Sequence, residues 1–466
     1  MEWLLSHNSA GLFLDPGAGK TSISYAACVV LKNAGMFHGM VVVAPLRPAV
    51  TTWPDEQQEW SDFHELDVVV LHGKNREHLA STRHDVYVIN YEGLDWFING
   101  GFLKNLLRKK WVDTLNFDEL TKMKNASKKA KRRKLLRPWL PRFTRRWGLT
   151  GSPASNGLIH LFGQINILDL GRAFGPFITH FRNRFFVPQG MWNWRLKEGA
   201  EELIYEAIKP VALRLPPSKT SGTPAIRYND IRIILPPDAR AAYDNMEEEM
   251  LTVLNNELLT AGSAGAVYGK CCQIATGAVF KAKVDPITGE PFARKGDDRW
   301  HNVHDAKLDA LEELIDELQG QQILVAYWFQ HDLAKLLKRF GKNTPYIGSG
   351  VSIKRAKEIE VAWNDGDIPY MFGHPLSMGH GVNFQKSSAR HVGWYTPIPD
   401  YELYDQFNRR IRRRGNKSKT VTVHHIVAVK TVESWGILPI LGHRERTQLK
   451  LFDALRQHAK QRKGWK

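Results

Sequence analysis

The sequence predicts an α/β protein of two units, each built on a parallel β-sheet, with a helical segment between them. Short apolar runs of strand length alternate with helix-compatible stretches, which is typical of parallel sheets covered by helices. Polar residues follow several of the predicted strands, at the edge where open α/β sheets bind ligands. The same alternation resumes after residue 300. We therefore expect one unit over 1–215, a helical protrusion and linker over 216–300, a second unit over 301–445, and a basic tail over 446–466.

The first unit opens with an apolar run at 11–14 that predicts a buried strand. Val- and Ile-rich runs predict the strands over 40–44, 67–71 and 85–90, and two further strands are predicted over 111–117 and 146–149. Helix-compatible stretches lie between some of these runs, at 22–32 and 48–63. This order of elements predicts a parallel sheet with helices on both faces.

The middle of the chain changes character. Residues 238–261 have the apolar spacing of a helix, whereas 281–300 are rich in Gly, Pro and charge and predict a surface loop or a small insertion. The second unit then follows in a similar order. Its predicted helices are 305–319, 331–340 and 352–365, and its predicted strands are 322–327, 345–347, 368–372 and 391–394.

Charge and composition narrow the function classes. The 466 residues carry a formal net charge of +17, which points to a polyanionic partner. Residues 122–146 hold twelve Lys or Arg and no acid, although such a run can also be a nuclear-import signal or a solvated loop. Three cysteines favour a reducing compartment, and no apolar run is long enough to span a membrane. We expect a cytoplasmic protein with no membrane partner and a nucleic-acid partner.

The residues after the first strand have the chemistry of a phosphate-binding loop. Gly17 and Gly19 let backbone N–H groups approach an anion, with Ala18 between them. Lys20 supplies a charge for the β- and γ-phosphates of ATP, and Thr21 supplies a hydroxyl for Mg²⁺. The alternative is a glycine-containing turn that binds nothing, since Leu14 stands where the strict pattern has Gly.

Asp118 and Glu119 follow the strand predicted at 111–117 and fit the second part of a nucleotide-hydrolysis site. Asp118 is predicted to hold Mg²⁺, and Glu119 to orient and deprotonate the attacking water. The alternative is an acidic pair that merely starts a loop.

A third group of residues lies far along the chain, between Gln406 and Asn416. Phosphoryl transfer builds negative charge on the γ-phosphate, which guanidinium groups stabilise. We expect Arg410 and Arg413 to share a helix face and reach one nucleotide together. The alternative is a basic helix that binds nucleic acid.

In this order the motifs resemble the superfamily-two helicase-like ATPases, and within them the Swi/Snf-type DNA translocases. Residues 15–21 are similar to motif I, 43–46 to motif Ia, 90–92 to the family's Ser-Tyr-Glu, and 118–125 to motif II. Residues 149–153 with Asn156 are similar to motif III, 377–384 to motif V, and 406–416 to motif VI, which Gln406 opens. The resemblance covers most of the chain, and compact versions are common in bacteriophage genomes.

The resemblance implies two RecA-like lobes, catalysis by Glu119, Gln406, Arg410 and Arg413, and coupling through Thr150 and Ser152. It also implies that one group of residues tracks a phosphate backbone, so that the partner is double-stranded DNA bound without sequence preference. These residues are Pro45, Leu46, Arg47, Asn90, Tyr91, Lys124, Asn125, Ser377 and Gly381.

The chain departs from the family pattern at several positions. Thr121 stands where motif II has His. The family's adenine-reading segment, which precedes motif I, has no counterpart here. For this second reason we expect that the start of this sequence is truncated or mis-assigned. The favoured hypothesis is a DNA-stimulated ATPase that translocates on duplex DNA and couples hydrolysis to lobe closure. The alternatives are a strand-separating helicase on single-stranded DNA or RNA, and a hydrolysis-impaired nucleic-acid-binding subunit.

Overall fold

The computed structural model describes residues 1–15, 17–124, 131–155, 157–189, 193–214, 223–255, 261–284, 291–293, 299–378 and 382–447. Contacts divide the chain into two compact units, Met1–Thr220 with Arg444–Lys466, and Ser221–His443. Each unit holds one large parallel sheet, which confirms the predicted fold class. Of the predicted basic tail, only 446 and 447 lie within the described residues, and they are helical. No helix among the described residues is long and apolar enough to cross a membrane.

The first unit is built on a seven-stranded sheet in the order β3-β4-β2-β5-β6-β1-β9, and every described pairing is parallel. Its strands, with those of a small hairpin, β7 and β8, are β1 Ser9–Phe13, β2 Met40–Ala44, β3 Val68–Val70, β4 Val86–Asn90, β5 Thr114–Asp118, β6 Arg145–Thr150, β7 Phe186–Gln189, β8 Asn193–Leu196 and β9 Ala212–Leu213. Its helices are α1 Glu2–Ser6, α2 Lys20–Asn33, α3 Leu46–Val50, α4 Thr52–Glu59, α5 Arg76–Ser81, α6 Leu94–Asn99, α7 Phe102–Arg108, α8 Lys131–Leu136, α9 Leu161–Asp169, α10 Ile178–Phe185 and α11 Ala200–Ile208.

Both faces of β2 are buried, which explains why this strand reads as an unbroken apolar run. In β2, Val41 and Val43 belong to one hydrophobic cluster, whereas Met40 and Val42 belong to another on the opposite face. The helices therefore cover both sides of the sheet and leave the carboxyl ends of the strands to carry polar groups.

The second unit is built on a six-stranded parallel sheet in the order β10-β19-β18-β15-β17-β16. Its strands, including those of two small antiparallel ribbons, are β10 Ala225–Ile233, β11 Ala278–Phe280, β12 Ala282–Val284, β13 Pro291–Ala293, β14 Trp300–Asn302, β15 Ile323–Ala326, β16 Tyr346–Ile347, β17 Tyr370–Gly373, β18 His391–Trp394 and β19 Thr420–Ala428. Its helices are α12 Pro237–Asn255, α13 Ala261–Thr276, α14 Ala306–Glu317, α15 Gln330–Phe340, α16 Ile353–Asp365, α17 Pro375–Met378 and α18 Tyr401–Asn408.

Buried ion pairs lie in both units. In the first, Arg145 Nη1 is 3.2 Å from Asp113 Oδ2, so at least one member of the basic run at 122–146 is an internal group. In the second, Lys307 Nζ is 2.6 Å from Glu433 Oε1, and both side chains are about 1% exposed or less. Removing one partner of such a pair leaves an uncompensated buried charge, which is strongly destabilising.

Three buried or half-buried histidines predict how the second unit responds to acid. Burial lowers the pKa of His304, His391 and His424 to about 4 from an ordinary value of 6.5. Below pH 6.5 the unfolded chain binds protons at these rings, but the folded chain does not until about pH 4. Because excess proton binding by the unfolded state lowers stability, we expect these groups to reduce the free energy of unfolding as pH falls through this window.

The test is urea unfolding between about pH 7.5 and about pH 5, comparing wild type with a His391→Gln/His424→Gln variant. The comparison with a variant is needed because burial also raises the pKa of Glu433. That shift increases the free energy of unfolding as pH falls, which is opposite to the effect of the histidines. The two rings form a chain in which His391 Nδ1 and His424 Nε2 are 2.9 Å apart, and Gln retains polar atoms there. Equal pH slopes for both proteins would contradict the assignment.

Candidate nucleotide and nucleic-acid sites

The predicted phosphate-binding loop lies at the carboxyl end of β1, directly before α2. Gly17 and Gly19 have φ values of 80° and 71°, in the left-handed region where glycine is favoured, and Pro16 lies outside the described residues. Gly17 and Ala18 are exposed, while Lys20 and Thr21 open α2 and are half-buried. The positive end of this helix therefore meets the loop, which is an arrangement suited to binding phosphate.

Lys20 is held over its own loop. Its Nζ donates to the carbonyl oxygens of Leu14 at 2.9 Å and Asp15 at 3.2 Å. Its charge also reaches Asp118: burial raises the pKa of the Asp118 carboxyl, while the hydrogen bond from Trp53 and the charge of Lys20 oppose that shift. The lysine and the carboxylate are thus part of one electrostatic site.

Arg214 anchors the start of the loop. It is 2% exposed and lies just after β9, which pairs with β1. Its Nη1 donates to the Phe13 carbonyl at 2.7 Å, and its Nη2 donates to Asp15 Oδ1 at 2.8 Å. This loop-anchoring role of Arg214 is not predicted from the sequence, because its partners are about 200 positions away in the chain.

The acidic pair lies at the carboxyl end of β5. Trp53 Nε1 donates to Asp118 Oδ2 at 3.0 Å, which fixes the carboxylate that is predicted to hold the metal. Glu119 has φ 58° and ψ 64°, a left-handed conformation that costs a non-glycine residue about 1–3 kcal/mol. Tyr91 stabilises this turn, because its hydroxyl donates to the carbonyls of Asp118 at 2.9 Å and Glu119 at 3.2 Å.

Two threonine hydroxyls converge on the Glu119 carboxylate. Thr121 Oγ1 donates to Glu119 Oε1 at 2.8 Å, and Thr150 Oγ1 donates to the same oxygen at 3.3 Å. The Ser152 backbone N–H in turn donates to Thr150 Oγ1 at 3.2 Å. Thr121 and Thr150 are at most 1% exposed. The end of β6 is therefore linked by hydrogen bonds to the predicted catalytic base.

Oxygen donors suit magnesium at this position. Asp118 and Thr21 are the predicted ligands, and Mg²⁺ commonly takes one or two protein oxygens while phosphates and water complete its octahedron. Among the described residues, no group of three or more His, Cys, Asp or Glu could form a separate metal centre. One carboxylate and one hydroxyl suit a metal that is bound together with a nucleotide.

The arginine segment lies in the second unit, and one prediction about it was wrong. Helix α18, whose N-terminus is capped by Asp400, ends at Asn408, so Arg410 and Arg413 lie in the turns beyond it and not on a helix face. They still converge on one segment: Arg410 Nη1 donates to the Val382 carbonyl at 3.0 Å, and Arg413 Nη1 donates to Asn383 Oδ1 at 2.9 Å.

Arg410 and Gln406 are buried, and Arg413 is half-buried. Arg410 is 8% exposed, and burial lowers the pKa of the Arg413 guanidinium. Gln406 is 6% exposed, and its Oε1 has no hydrogen-bond partner within the described part of the chain. Arg410 Nε donates to the Gln406 carbonyl at 3.2 Å, so two of the predicted catalytic residues of this segment contact each other.

The predicted nucleic-acid residues occupy several places. Pro45 is buried at the end of β2 and precedes the exposed Leu46 and the half-buried Arg47, while Asn90 ends the neighbouring β4. Tyr91 is 2% exposed, which favours its role in holding the acidic turn over a contact with nucleic acid.

The remaining predicted nucleic-acid residues are divided between the two units. Lys124 follows the acidic turn in the first unit and is half-buried, as is Ser377 in α17 of the second unit. Asn125 and Gly381 lie outside the described residues.

Three comparisons with known proteins gave matches. A family model described as SNF2-related domain matches residues 1–255. A protein of Acyrthosiphon pisum secondary endosymbiont phage 1, called putative protein p41, is 32% identical over 448 residues, covering 92% of this chain and 91% of that protein. A solved structure, the Sulfolobus solfataricus SWI2/SNF2 ATPase core in complex with dsDNA, is 21% identical with a TM-score of 0.40, covering 98% of this chain and 92% of that one.

Proposed function

This chain belongs to the SNF2-related domain family, and on that premise we propose that it is a DNA-stimulated ATPase that translocates along duplex DNA. The observation that carries the proposal lies in the first unit. A phosphate-type loop with Lys20 and an acidic turn with Asp118 and Glu119 share the carboxyl edge of one sheet, and Lys20 acts electrostatically on Asp118. This combination of a cation, a metal-binding carboxylate and a base is what phosphoryl transfer to water requires.

In the proposed reaction, the loop and Lys20 bind the β- and γ-phosphates, and Glu119 accepts a proton from the attacking water. A bound Mg²⁺, held by Thr21 and Asp118, would neutralise charge between the phosphates. Arg410 and Arg413 stabilise the charge that develops on the γ-phosphate once DNA has brought the two units to closure. Thr150 and Ser152 couple the position of the Glu119 carboxylate to the end of β6 through their hydrogen bonds.

The proposed partner is the DNA backbone. The net charge of +17 favours a polyanion, and Arg47 and Lys124 supply cations among the predicted backbone contacts. Phosphate contacts carry no sequence information, so binding should be salt-sensitive and independent of sequence.

The test measures ATP hydrolysis without DNA, with duplex DNA and with single strands, for wild type and Lys20→Ala. We expect duplex DNA to stimulate the wild type, and the variant to lose about 10²–10³-fold of that rate, as removal of one charge-stabilising donor does. Displacement of a triplex-forming strand without separation of the duplex would support translocation.

Two other outcomes would replace the proposal. Stimulation by single strands together with strand displacement would favour a helicase. A wild-type rate no higher than that of Lys20→Ala would favour a nucleic-acid-binding subunit impaired in hydrolysis.

The Thr121 hydroxyl gives a further prediction within this function. Thr121→Val keeps the side-chain shape but removes a hydrogen bond to the Glu119 carboxylate, which is worth about 1.5–3 kcal/mol for a charged acceptor. We expect kcat to fall about 10- to 150-fold, and the acid limb of the pH–rate profile to move to higher pH, because the ionised carboxylate loses a donor. Thr121→Ser should restore both. A Ser variant as impaired as Val would assign the effect to packing.

A further inference from the structure

A cavity with an aromatic lining opens at the carboxyl edge of the second sheet. Its volume is about 670 Å³, which lies within the range of small-molecule sites. Loops that leave three neighbouring strands contribute to it: Trp328 follows β15, Ser349 follows β16, and His374 follows β17. This is the edge at which open α/β sheets bind ligands.

Flat π surfaces line this cavity. The rings of Trp328 and His374 stack with centroids 5.0 Å apart and planes 19° apart, and both residues are half-buried. Trp300 is also half-buried, and the Arg299 guanidinium lies 5.2 Å from its ring centroid. Leu333 of α15 adds an apolar surface. A planar ligand is therefore offered both stacking and apolar contact.

Hydrogen bonds hold the backbone of Trp328 in place, and the His374 ring that stacks on its indole is held as well. The buried Asp332 carboxylate accepts from the backbone N–H of Trp328 at 3.2 Å and of Phe329 at 2.8 Å, and from Thr396 Oγ1 at 2.6 Å. The His374 ring Nε2–H donates to the Trp328 carbonyl at 3.1 Å. A stacking surface fixed in this way loses little conformational entropy on binding.

The charge of the lining also selects a ligand class. Among the described residues, the lining includes one cation, Arg299, and no acid. Burial lowers the pKa of His374, so its ring is neutral at neutral pH. A neutral aromatic ring attached to an anionic backbone matches this surface better than an apolar peptide does, because a peptide gains nothing from the cation.

We propose that this cavity binds one unpaired nucleobase, stacked against Trp328, so that the protein prefers DNA carrying an extrahelical base. The proposal rests on the proposed function for its partner, since Ser377, a predicted backbone contact, lines the same cavity. A base in the cavity would be linked through its sugar to a phosphate near the Ser377 hydroxyl. Base stacking on an aromatic ring tolerates any sequence, which agrees with binding that is independent of sequence.

The experiment compares three oligonucleotides by fluorescence anisotropy: a perfect duplex, the same duplex with a one-nucleotide bulge, and that bulge with an abasic sugar. We expect the wild type to bind the bulged base more tightly than the abasic bulge by about 5- to 150-fold, the range that base-stacking aromatic residues give. The ratio should stay constant between about 50 and about 200 mM salt, because both ligands carry the same phosphates.

Variants separate the cavity from the rest of the surface. Trp328→Ala should abolish the preference and leave affinity for the perfect duplex unchanged. Trp435→Ala, which removes a tryptophan 53% exposed elsewhere in the same unit, should keep the preference. Equal binding of the two bulges by wild type would overturn the proposal, and this is the result expected if the true occupant were an apolar peptide. A preference for the bulged base that survives Trp328→Ala would also overturn it.

Failure of this inference is distinguishable from failure of the proposed function. A protein that hydrolyses ATP in response to a perfect duplex but ignores the bulged base would retain its function and lose the base site. A protein that binds none of the three oligonucleotides would contradict both.

Discussion

Glu119→Gln should lower DNA-stimulated ATP hydrolysis by about 10²–10⁴-fold, the usual contribution of a general base. The amide cannot accept the proton of the attacking water, but its oxygen can still accept the hydrogen bond from Thr121. Gln is also a non-glycine residue, so the left-handed backbone at position 119 costs much the same in both proteins. The expected loss is therefore in kcat, with ATP binding retained.

The measurement is a steady-state ATPase assay with saturating duplex DNA, together with titration of a fluorescent ATP analogue. Glu65→Gln is the matched control, because it makes the same chemical change at an exposed position of the same unit. A variant at 119 that kept more than about a tenth of the wild-type rate would exclude the assigned role, since a general base contributes at least about a hundredfold.

Arg413→Ala should lower the stimulated rate by about 10³-fold or more, as loss of an arginine that stabilises phosphoryl transfer does. Arg413→Lys should recover only part of this rate, because an ammonium offers a point charge in place of a planar fork of donors. Both variants lose the guanidinium that donates to Asn383 Oδ1. DNA binding in the absence of ATP should change little.

Arg355→Ala is the control for the arginine variants. Arg355 is exposed on α16 of the same unit, where it pairs with Glu358 at 3.0 Å, and exposed ion pairs contribute little to stability. Thermal unfolding of all three variants would show whether the fold is intact. A normal rate in a folded Arg413→Ala protein would remove this residue from the proposed mechanism.

The strands that the sequence predicted include fully buried ones, such as β2, and half-buried edge strands, such as β3. All six strands expected in the first unit are present, and the apolar runs of β2 and β4 are recognisable without knowledge of a partner strand. Strand β10 was missed because it lies at the edge of its sheet and most of its side chains are exposed, so 216–300 was read as helical. Strand β19 was missed although it is buried, since His424 and His425 interrupt its apolar pattern.

The site was predictable where chemistry is local in the chain. The loop at 17–21 and the pair at 118–119 each carry their own signature, and the sheet brings them to one edge. Two contacts were not readable, because they join distant residues: Arg214 with Asp15, and Tyr91 with the backbone of Glu119. The burial of individual residues within the basic run was not predictable either. Nothing in the pattern at 122–146 indicates that Arg145 pairs with Asp113.

The anchoring of Asp15 by Arg214 has a practical consequence for dissecting this protein. A recombinant fragment that stopped after α11 would retain every residue of the phosphate loop but would lack the side chain that fixes its first carboxylate. Such a fragment should bind nucleotide weakly even if it were soluble. On the proposed function, a minimal nucleotide-binding fragment therefore has to extend through residue 214.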